Sequence, residues 1–174
     1  LFVHEANRVT MPFSLTTKTA IITGAASGIG LAIAQVFAEN GATVIMLDLN
    51  KEQINASCKE IVAGKPHLHV DGYVCNVTDE NMVKDCFEAV VQKHGRIDIL
   101  VNNAGIGSVG DVLVATKEEM DKVYNVNVLG VFYCLKYAVR HMLADGKGGA
   151  ICNLASIASV IGLADRFAYS MTKG

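Results

Sequence analysis

A run of β-branched and apolar residues, Thr19 to Thr23, passes through Gly24, Ala25, Ala26, Ser27, Gly28, Ile29 and Gly30 into an amphipathic stretch that ends near Asn40. Few folds accommodate that order. Gly24 permits a tight turn, Gly28 lets a ligand approach the backbone, and Gly30 lets the new helix pack closely on the strand before it. A helix that starts here aims its unpaired N–H groups and the positive end of its dipole at the turn, which suits a pyrophosphate. Three glycines alone would mark only an ordinary strand-to-helix turn. With a strand before them and a helix after, Gly24, Ser27, Gly28, Ile29 and Gly30 read as the phosphate-binding turn of a dinucleotide site.

Beyond Thr19 the pattern repeats. Short apolar runs at Thr19 to Thr23, Thr43 to Leu47, His69 to Val74, Ile97 to Val101 and Ala150 to Leu154 alternate with longer amphipathic stretches. The latter lie at Ile29 to Asn40, Glu52 to Val62, Glu80 to His94 and Lys117 to Ala144. This alternation predicts an α/β fold, a parallel sheet with helices on both faces. Four of the strands are nearly continuous in apolar residues, as burial on both faces requires. The third is more polar and fits an outer position. Gly41, Gly64 and Gly95 stand where helices must stop. In the long helix, Val126, Val128, Leu129, Phe132, Leu135 and Val139 form an apolar surface broader than one sheet face needs, which predicts packing against a second subunit.

Composition narrows the class. The 174 residues are 51% hydrophobic and 18% charged, enough for one globular domain with a buried core. The net charge of −2 and the lack of any Lys/Arg run argue against nucleic acid as a partner. Charged or amide residues interrupt every apolar run before the roughly 18 to 20 residues of a membrane span, so no membrane partner is expected. Five cysteines, Cys58, Cys75, Cys86, Cys134 and Cys152, show no C-x-x-C pair and fit reduced thiols in a cytoplasmic protein. His67 and His69 alternate on one strand face without an acidic or thiol partner, and no metal site is assigned. Residues 1–14 read as an N-terminal tail before a domain over 15–174, and Leu1 to Thr10, ahead of Met11, fit a cloning or gene-boundary remnant.

Asp48 follows the second strand, about 18 residues after Gly30, near the distance at which an acid reaches the adenosine ribose. A carboxylate there accepts hydrogen bonds from ribose hydroxyls and repels a 2′-phosphate. NAD is favoured over NADP.

The glycine turn, then Asn102, Asn103, Ala104 and Gly105, then Asn127, Ser156, Tyr169 and Lys173, closely resemble the short-chain dehydrogenase/reductase family. The likeness covers nearly everything after Phe13. It implies a Rossmann-type doubly wound sheet in the order 3-2-1-4-5, here lacking the last strands of the family fold. It implies an NAD-dependent oxidoreductase acting on a secondary alcohol or ketone, assembled as a homodimer or homotetramer. A family domain continues through further strand and helix units, so a catalytically inactive dinucleotide-binding fragment is the rival reading. A Rossmann methyltransferase would leave Ser156, Tyr169 and Lys173 unexplained, and a serine hydrolase would need a histidine that Ser156 lacks nearby.

The chemistry suits these residue types. A carbonyl that accepts hydride at carbon must receive a proton at oxygen, and Tyr169 is the candidate acid/base. Tyrosine ordinarily ionises near pH 10, so a phenolate near neutrality needs about 4 kcal/mol of electrostatic help. Lys173, four residues on along one helix face, can supply it. The resemblance adds that Lys173 also holds the nicotinamide ribose, that Asn127 offers a backbone carbonyl to a water beside Lys173, and that Ser156 hydrogen-bonds the substrate oxygen. It further places Asn103, Ala104 and Gly105 beside the cofactor, and Asn76 and Val77 beside the adenine. Asn76 departs from the acid usual in the family, leaving its amide oxygen to accept the adenine amino group. Ile106 to Val112 and Ile157 to Phe167 should wall the substrate pocket, where Asp165 and Arg166 lean toward a polar substrate.

Overall fold

A computed structural model describes residues 13–144 and 146–173. The proposed remnant at Leu1 to Thr10 lies outside them, as do Met11 and the last residue. Five parallel strands form one sheet: β1 (Thr19–Thr23), β2 (Thr43–Asp48), β3 (His69–Val74), β4 (Ile99–Asn102) and β5 (Ala150–Asn153). Their spatial order is β3-β2-β1-β4-β5. The helices are α1 (Gly28–Glu39), α2 (Lys51–Val62), α3 (Glu80–His94), α4 (Lys117–Tyr124), α5 (Gly130–Ala144) and α6 (Phe167–Met171). This is the Rossmann-type doubly wound sheet that the alternation and the resemblance imply.

The strand alternation divides the core into two layers. Ile21, Ile45, Leu47 and Leu100 point into a cluster with Val83, Phe87 and Val90 of α3 and with Cys134, Tyr137 and Ala138 of α5. Their chain neighbours Ile22, Val44, Met46 and Val101 point the other way, against Ala34 and Ala38 of α1 and Ile54 and Ile61 of α2. Each fully buried side chain of this size contributes about 1.5–3 kcal/mol relative to exposure. The polar third strand lies at one edge of the sheet. At the other edge all four residues of β5 are exposed.

Two differences from the sequence reading have identifiable reasons. β4 begins at Ile99 rather than Ile97, because the Asp98 carboxylate, not a strand carbonyl, accepts the Thr19 N–H at 3.0 Å. The long helix is not uniform. Between α4 and α5 lies a π-helical segment, Asn125–Leu129, in which the Gly130 N–H donates to the Asn125 carbonyl five residues back. Such widened turns sit frequently at functional sites. Here Gly130 presses on Val77, where an added Cβ would come within 2.8 Å of Val77 Cγ2. Of the apolar surface expected on this helix, Phe132 and Val139 are exposed, as are Tyr124 and Leu143 beside them.

Helix starts and stops follow local chemistry. Asp79 caps α3 by accepting the Asn81 and Met82 N–H groups, and Asn50 caps α2 through the Gln53 N–H. Gly95, with φ of +84°, ends α3. No helix of the described residues is long and apolar enough to cross a membrane.

Candidate active site

The turn after β1 is held from three sides. Asn103 Nδ2 donates to the carbonyls of Thr23 at 2.9 Å and Gly24 at 3.0 Å. Thr23 Oγ1 accepts the N–H groups of Asn103 and Ala104 at 3.1 and 3.0 Å. From the α2 side, Ser57 Oγ donates to the Ala26 carbonyl at 2.9 Å. Glycine is obligatory inside this knot. A Cβ on Gly30 would fall 2.3 Å from the Gly24 oxygen and 2.5 Å from Asn103 Nδ2, and one on Gly24 would meet Ala104 Cα at 2.9 Å. Thr23 and Ser57 were not singled out from sequence, since a hydroxyl at a strand end or on a helix has no distinctive local pattern.

Gly28 differs. Its φ is +55°, and an added Cβ would meet nothing within 4 Å. Ser27, the residue before α1, makes no side-chain cap bond. The first N–H groups of α1 therefore lack the usual hydroxyl partner, and the space beside Gly28 is open. Both features fit a pyrophosphate cradle.

That space belongs to a cavity of about 450 Å³ lined by Gly24, Ser27, Gly28, Ile29, Asp48, Asn76, Val77, Asn103, Ala104 and Gly105, among others. Ten expected cofactor residues thus share one wall. Gly30 lies beneath the turn rather than on the wall. Asp48 Oδ2 accepts the Ala26 N–H at 3.0 Å and Oδ1 the Asn50 N–H at 3.1 Å, leaving lone pairs on both oxygens for ribose hydroxyls. Asn76 departs from expectation. Its Oδ1 accepts the Thr78 N–H at 3.1 Å and the Thr78 hydroxyl at 2.9 Å. Both lone pairs are engaged, so the group left to meet a ligand is the amide NH₂ donor.

A second cavity, of about 650 Å³, holds Tyr169 and Lys173 and shares Ile29, Asn103, Gly105 and Ile106 with the first. Its remaining wall includes Gly107, Ser108, Val109, Glu119, Leu154, Ala155 and Arg166. Of the two walls expected from sequence, the first supplies Ile106 to Val109. The second supplies only Arg166, while Ile157, Val160 and Ile161 stay exposed. Ser156 follows the wall residue Ala155, and its Oγ accepts the Ala158 N–H at 3.2 Å.

Tyr169 sits in α6, with its N–H donating to Ser108 Oγ at 3.1 Å. α6 ends at Met171, and Lys173 follows in a tighter turn whose N–H reaches the Ser170 carbonyl at 3.1 Å. The pair is therefore not on one regular helix face. Lys173 Nζ donates to the Leu154 carbonyl at 2.9 Å. Gly105 lies between Lys173 and Asn127, since a Cβ there would be 3.6 Å from Nζ and 3.2 Å from Asn127 Oδ1. Asn127 is buried. Its amide accepts the Ile106 N–H and donates to the Ile106 carbonyl and to Thr172 Oγ1, each at 2.9 Å. The π-helical segment, the Ile106 wall and the end of α6 are thereby joined through one side chain.

Asp165, before Arg166, is a non-glycine residue in the left-handed region, with φ of 54°. Such a conformation costs about 1–2 kcal/mol. Hydrogen bonds hold it in place: the Gly110 N–H donates to the Asp165 carbonyl at 2.9 Å, and the Phe167 N–H to the Gly110 carbonyl at 3.0 Å. All five cysteines are free thiols. Burial pushes the Cys134 thiol up to about 12. That thiol is inert near neutrality. Among the described residues no cluster of His, Cys, Asp and Glu could hold a metal ion.

A doubly wound parallel sheet, with a glycine turn after β1 and a tyrosine and lysine across a shared wall, defines a Rossmann-type α/β protein. The short chain dehydrogenase family model matches residues 18–174, and the chain belongs to that family. It is 43% identical over 159 residues to the 3-oxoacyl-[acyl-carrier-protein] reductase FabG of Thermotoga maritima, covering 91% of this chain and 63% of that one. It is 38% identical over 165 residues to D-threitol dehydrogenase of Mycolicibacterium smegmatis, covering 95% and 62%. An NAD⁺-bound xylitol dehydrogenase structure superposes with a TM-score of 0.87 at 35% identity, covering 92% of this chain and 61% of that one. The chain thus spans about three fifths of the length of these relatives.

Proposed function

We propose that the protein is an NAD-dependent oxidoreductase that moves a hydride between the nicotinamide and a secondary alcohol or its ketone. One observation carries this reading: the cavity at the glycine turn and the cavity holding Tyr169 and Lys173 share Ile29, Asn103, Gly105 and Ile106 as a common wall. A ligand extended from the turn across that wall brings its far end to the tyrosine. The relatives named above act on polyols or 3-oxoacyl groups, which supports a small-molecule alcohol or carbonyl substrate: a sugar, polyol, hydroxy acid or 3-oxoacyl compound.

Gly24, Ser27, Gly28, Ile29 and Gly30 would form the pyrophosphate cradle, and Asp48 would hold the adenosine ribose. The lone pairs left on its two oxygens favour NAD over NADP. Asn76 and Val77 would flank the adenine, with Asn76 as donor, and Asn103, Ala104 and Gly105 would line the path toward the nicotinamide. When bound, the cofactor supplies or accepts the hydride. Tyr169 gives a proton to the substrate oxygen in reduction and takes it in oxidation. Lys173 supplies positive charge beside the phenol and would hold the nicotinamide ribose. Because Ser156 Oγ already accepts the Ala158 N–H, its own O–H is free to donate to the substrate oxygen. Asn127 braces the Ile106 wall against the turn carrying Lys173. The exposed Tyr124, Phe132, Val139 and Leu143 support a homodimer or homotetramer, and the free thiols support the cytoplasm as compartment.

The test is NADH formation, read at the nicotinamide absorbance, across polyols, sugar acids, hydroxy acids and 3-hydroxyacyl thioesters. Tyr169→Phe should lower turnover by at least about 100-fold while leaving NAD binding intact. Undiminished turnover in that variant would sink the mechanism.

A further inference from the structure

We infer that the substrate carries a carboxylate and that Arg166 binds it, making a hydroxy acid or oxo acid the substrate class of the site proposed above, on which this inference rests. The cavity around Tyr169 has three charged residues on its wall: Arg166, Lys173 and Glu119. Lys173 spends a donor on the carbonyl of Leu154, another residue of that wall. Arg166 is half-buried and placed differently. One nitrogen, Nη1, donates to the Ser108 carbonyl at 3.1 Å and to the Asp165 carbonyl at 3.2 Å. These are the guanidinium's only hydrogen bonds among the described residues, and no carboxylate pairs with it there. A guanidinium has five N–H donors in a planar fork. Anchoring through Nη1 alone leaves Nη2 and Nε, whose geometry matches the two oxygens of a carboxylate.

The guanidinium is also registered against the acid/base. Ser108 accepts Arg166 Nη1 through its carbonyl and the Tyr169 backbone N–H through its hydroxyl, so one buried residue ties the guanidinium to the backbone that carries the acid/base. The left-handed Asp165 and the Gly110 bonds on either side of Arg166 hold the backbone that carries it. A charge aimed by strained, pinned backbone is costly for a group meant only to be solvated. Glu119 stands on a separate element, α4, and forms no ion pair with Arg166 among the described residues. It disfavours an anion bound in the reverse sense and offers acceptors to hydroxyl groups. The arrangement reads a substrate with a carboxylate at one end and a reacting hydroxyl or carbonyl a few carbons along.

The test compares hydroxy acids bearing the hydroxyl two to five carbons from the carboxylate, each against its neutral amide, in the wild-type protein and in Arg166→Gln and Arg166→Lys. Initial rates are read at the nicotinamide absorbance, and binding of the matching oxo acids to the NADH-loaded protein by calorimetry. At least one acid should exceed its amide tenfold or more in kcat/KM. Arg166→Gln should erase that preference mainly through KM and leave turnover of the amide within a few-fold, and Arg166→Lys should retain part of it. A merely structural role would depress acid and amide together. Equal use of acids and amides, an acid preference that survives in Arg166→Gln, or NADH-loaded protein that binds no oxo acid would overturn the inference. Turnover of neutral polyols with no hydroxy acid used better than its amide would overturn it while leaving the oxidoreductase reading intact. Failure to bind NAD would instead remove the reading on which it rests.

Discussion

Asp48 and Ala26 are joined by a hydrogen bond of 3.0 Å from the Ala26 N–H to Asp48 Oδ2, which ties the end of β2 to the glycine turn after β1. The carboxylate therefore has two tasks, shaping the turn and presenting oxygens to the cavity. Asp48→Ala should weaken NAD binding about tenfold or more and raise the relative affinity for NADP, since a charged acceptor and its repulsion are both lost. Titration calorimetry with the two dinucleotides checks this. An unchanged NAD to NADP ratio would contradict the assignment.

Two glycines of the same turn should respond differently. Gly30→Ala drives a methyl into the Gly24 carbonyl and Asn103, and should cost about 1–3 kcal/mol, seen as a drop of several degrees in Tm. Gly28→Ala meets no protein atom and should fold with a loss of about 1–2 kcal/mol from its positive φ. Its methyl enters the space assigned to the pyrophosphate. Gly28→Ala should therefore lose dinucleotide binding out of proportion to its stability, which melting curves and calorimetry would separate.

Asn127→Leu keeps the bulk of the side chain and removes its three hydrogen bonds. The Ile106 N–H and carbonyl are left without their partner, at a cost of about 2–4 kcal/mol by chemical denaturation. Turnover should fall as well, because the wall that bears Ile106 loses its link to Thr172. A variant as stable as the wild type would show that this side chain does not brace the site.

Lys136 and the Tyr137 hydroxyl hold the Glu80 carboxylate below its ordinary value of 4.5 and link α3 to α5. A lowered folded-state pKa contributes stability above the unfolded value that is lost as pH falls through the folded one. Glu80→Gln should thus melt slightly below the wild type at neutral pH. The gap should close on acidification below pH 4.5. Because the pair is exposed and salt-screened, the gap should also shrink in high salt. A gap that widens in acid would reverse the sign.

Much of the scaffold was legible locally. The third helix was expected at Glu80 to His94 and is observed there, because Asp79 and Gly95 mark its ends. The polar third strand was expected at an edge and lies at one. The π-helical segment at Asn125–Leu129 left no trace in the apolar periodicity, since widening one turn changes which hydrogen bonds form, not which residues are apolar. Which atoms of Asn76 are free is hidden from local sequence for a similar reason. Whether an amide oxygen is free depends on Thr78, whose hydroxyl reaches it only once the chain turns there.

The strand and helix order, the glycine turn and the residue types able to hold a dinucleotide and move a proton are legible in the chain alone, because periodicity, turn chemistry and spacing are properties of neighbouring residues. Which groups meet follows from the folded chain. Thr23 reaching Ala104, Asn127 clasping Ile106, and Ser108 spacing Arg166 from Tyr169 join residues up to 81 positions apart. Such contacts arise when the sheet closes and buried polar groups must find partners, a requirement that no local stretch of chain can satisfy alone.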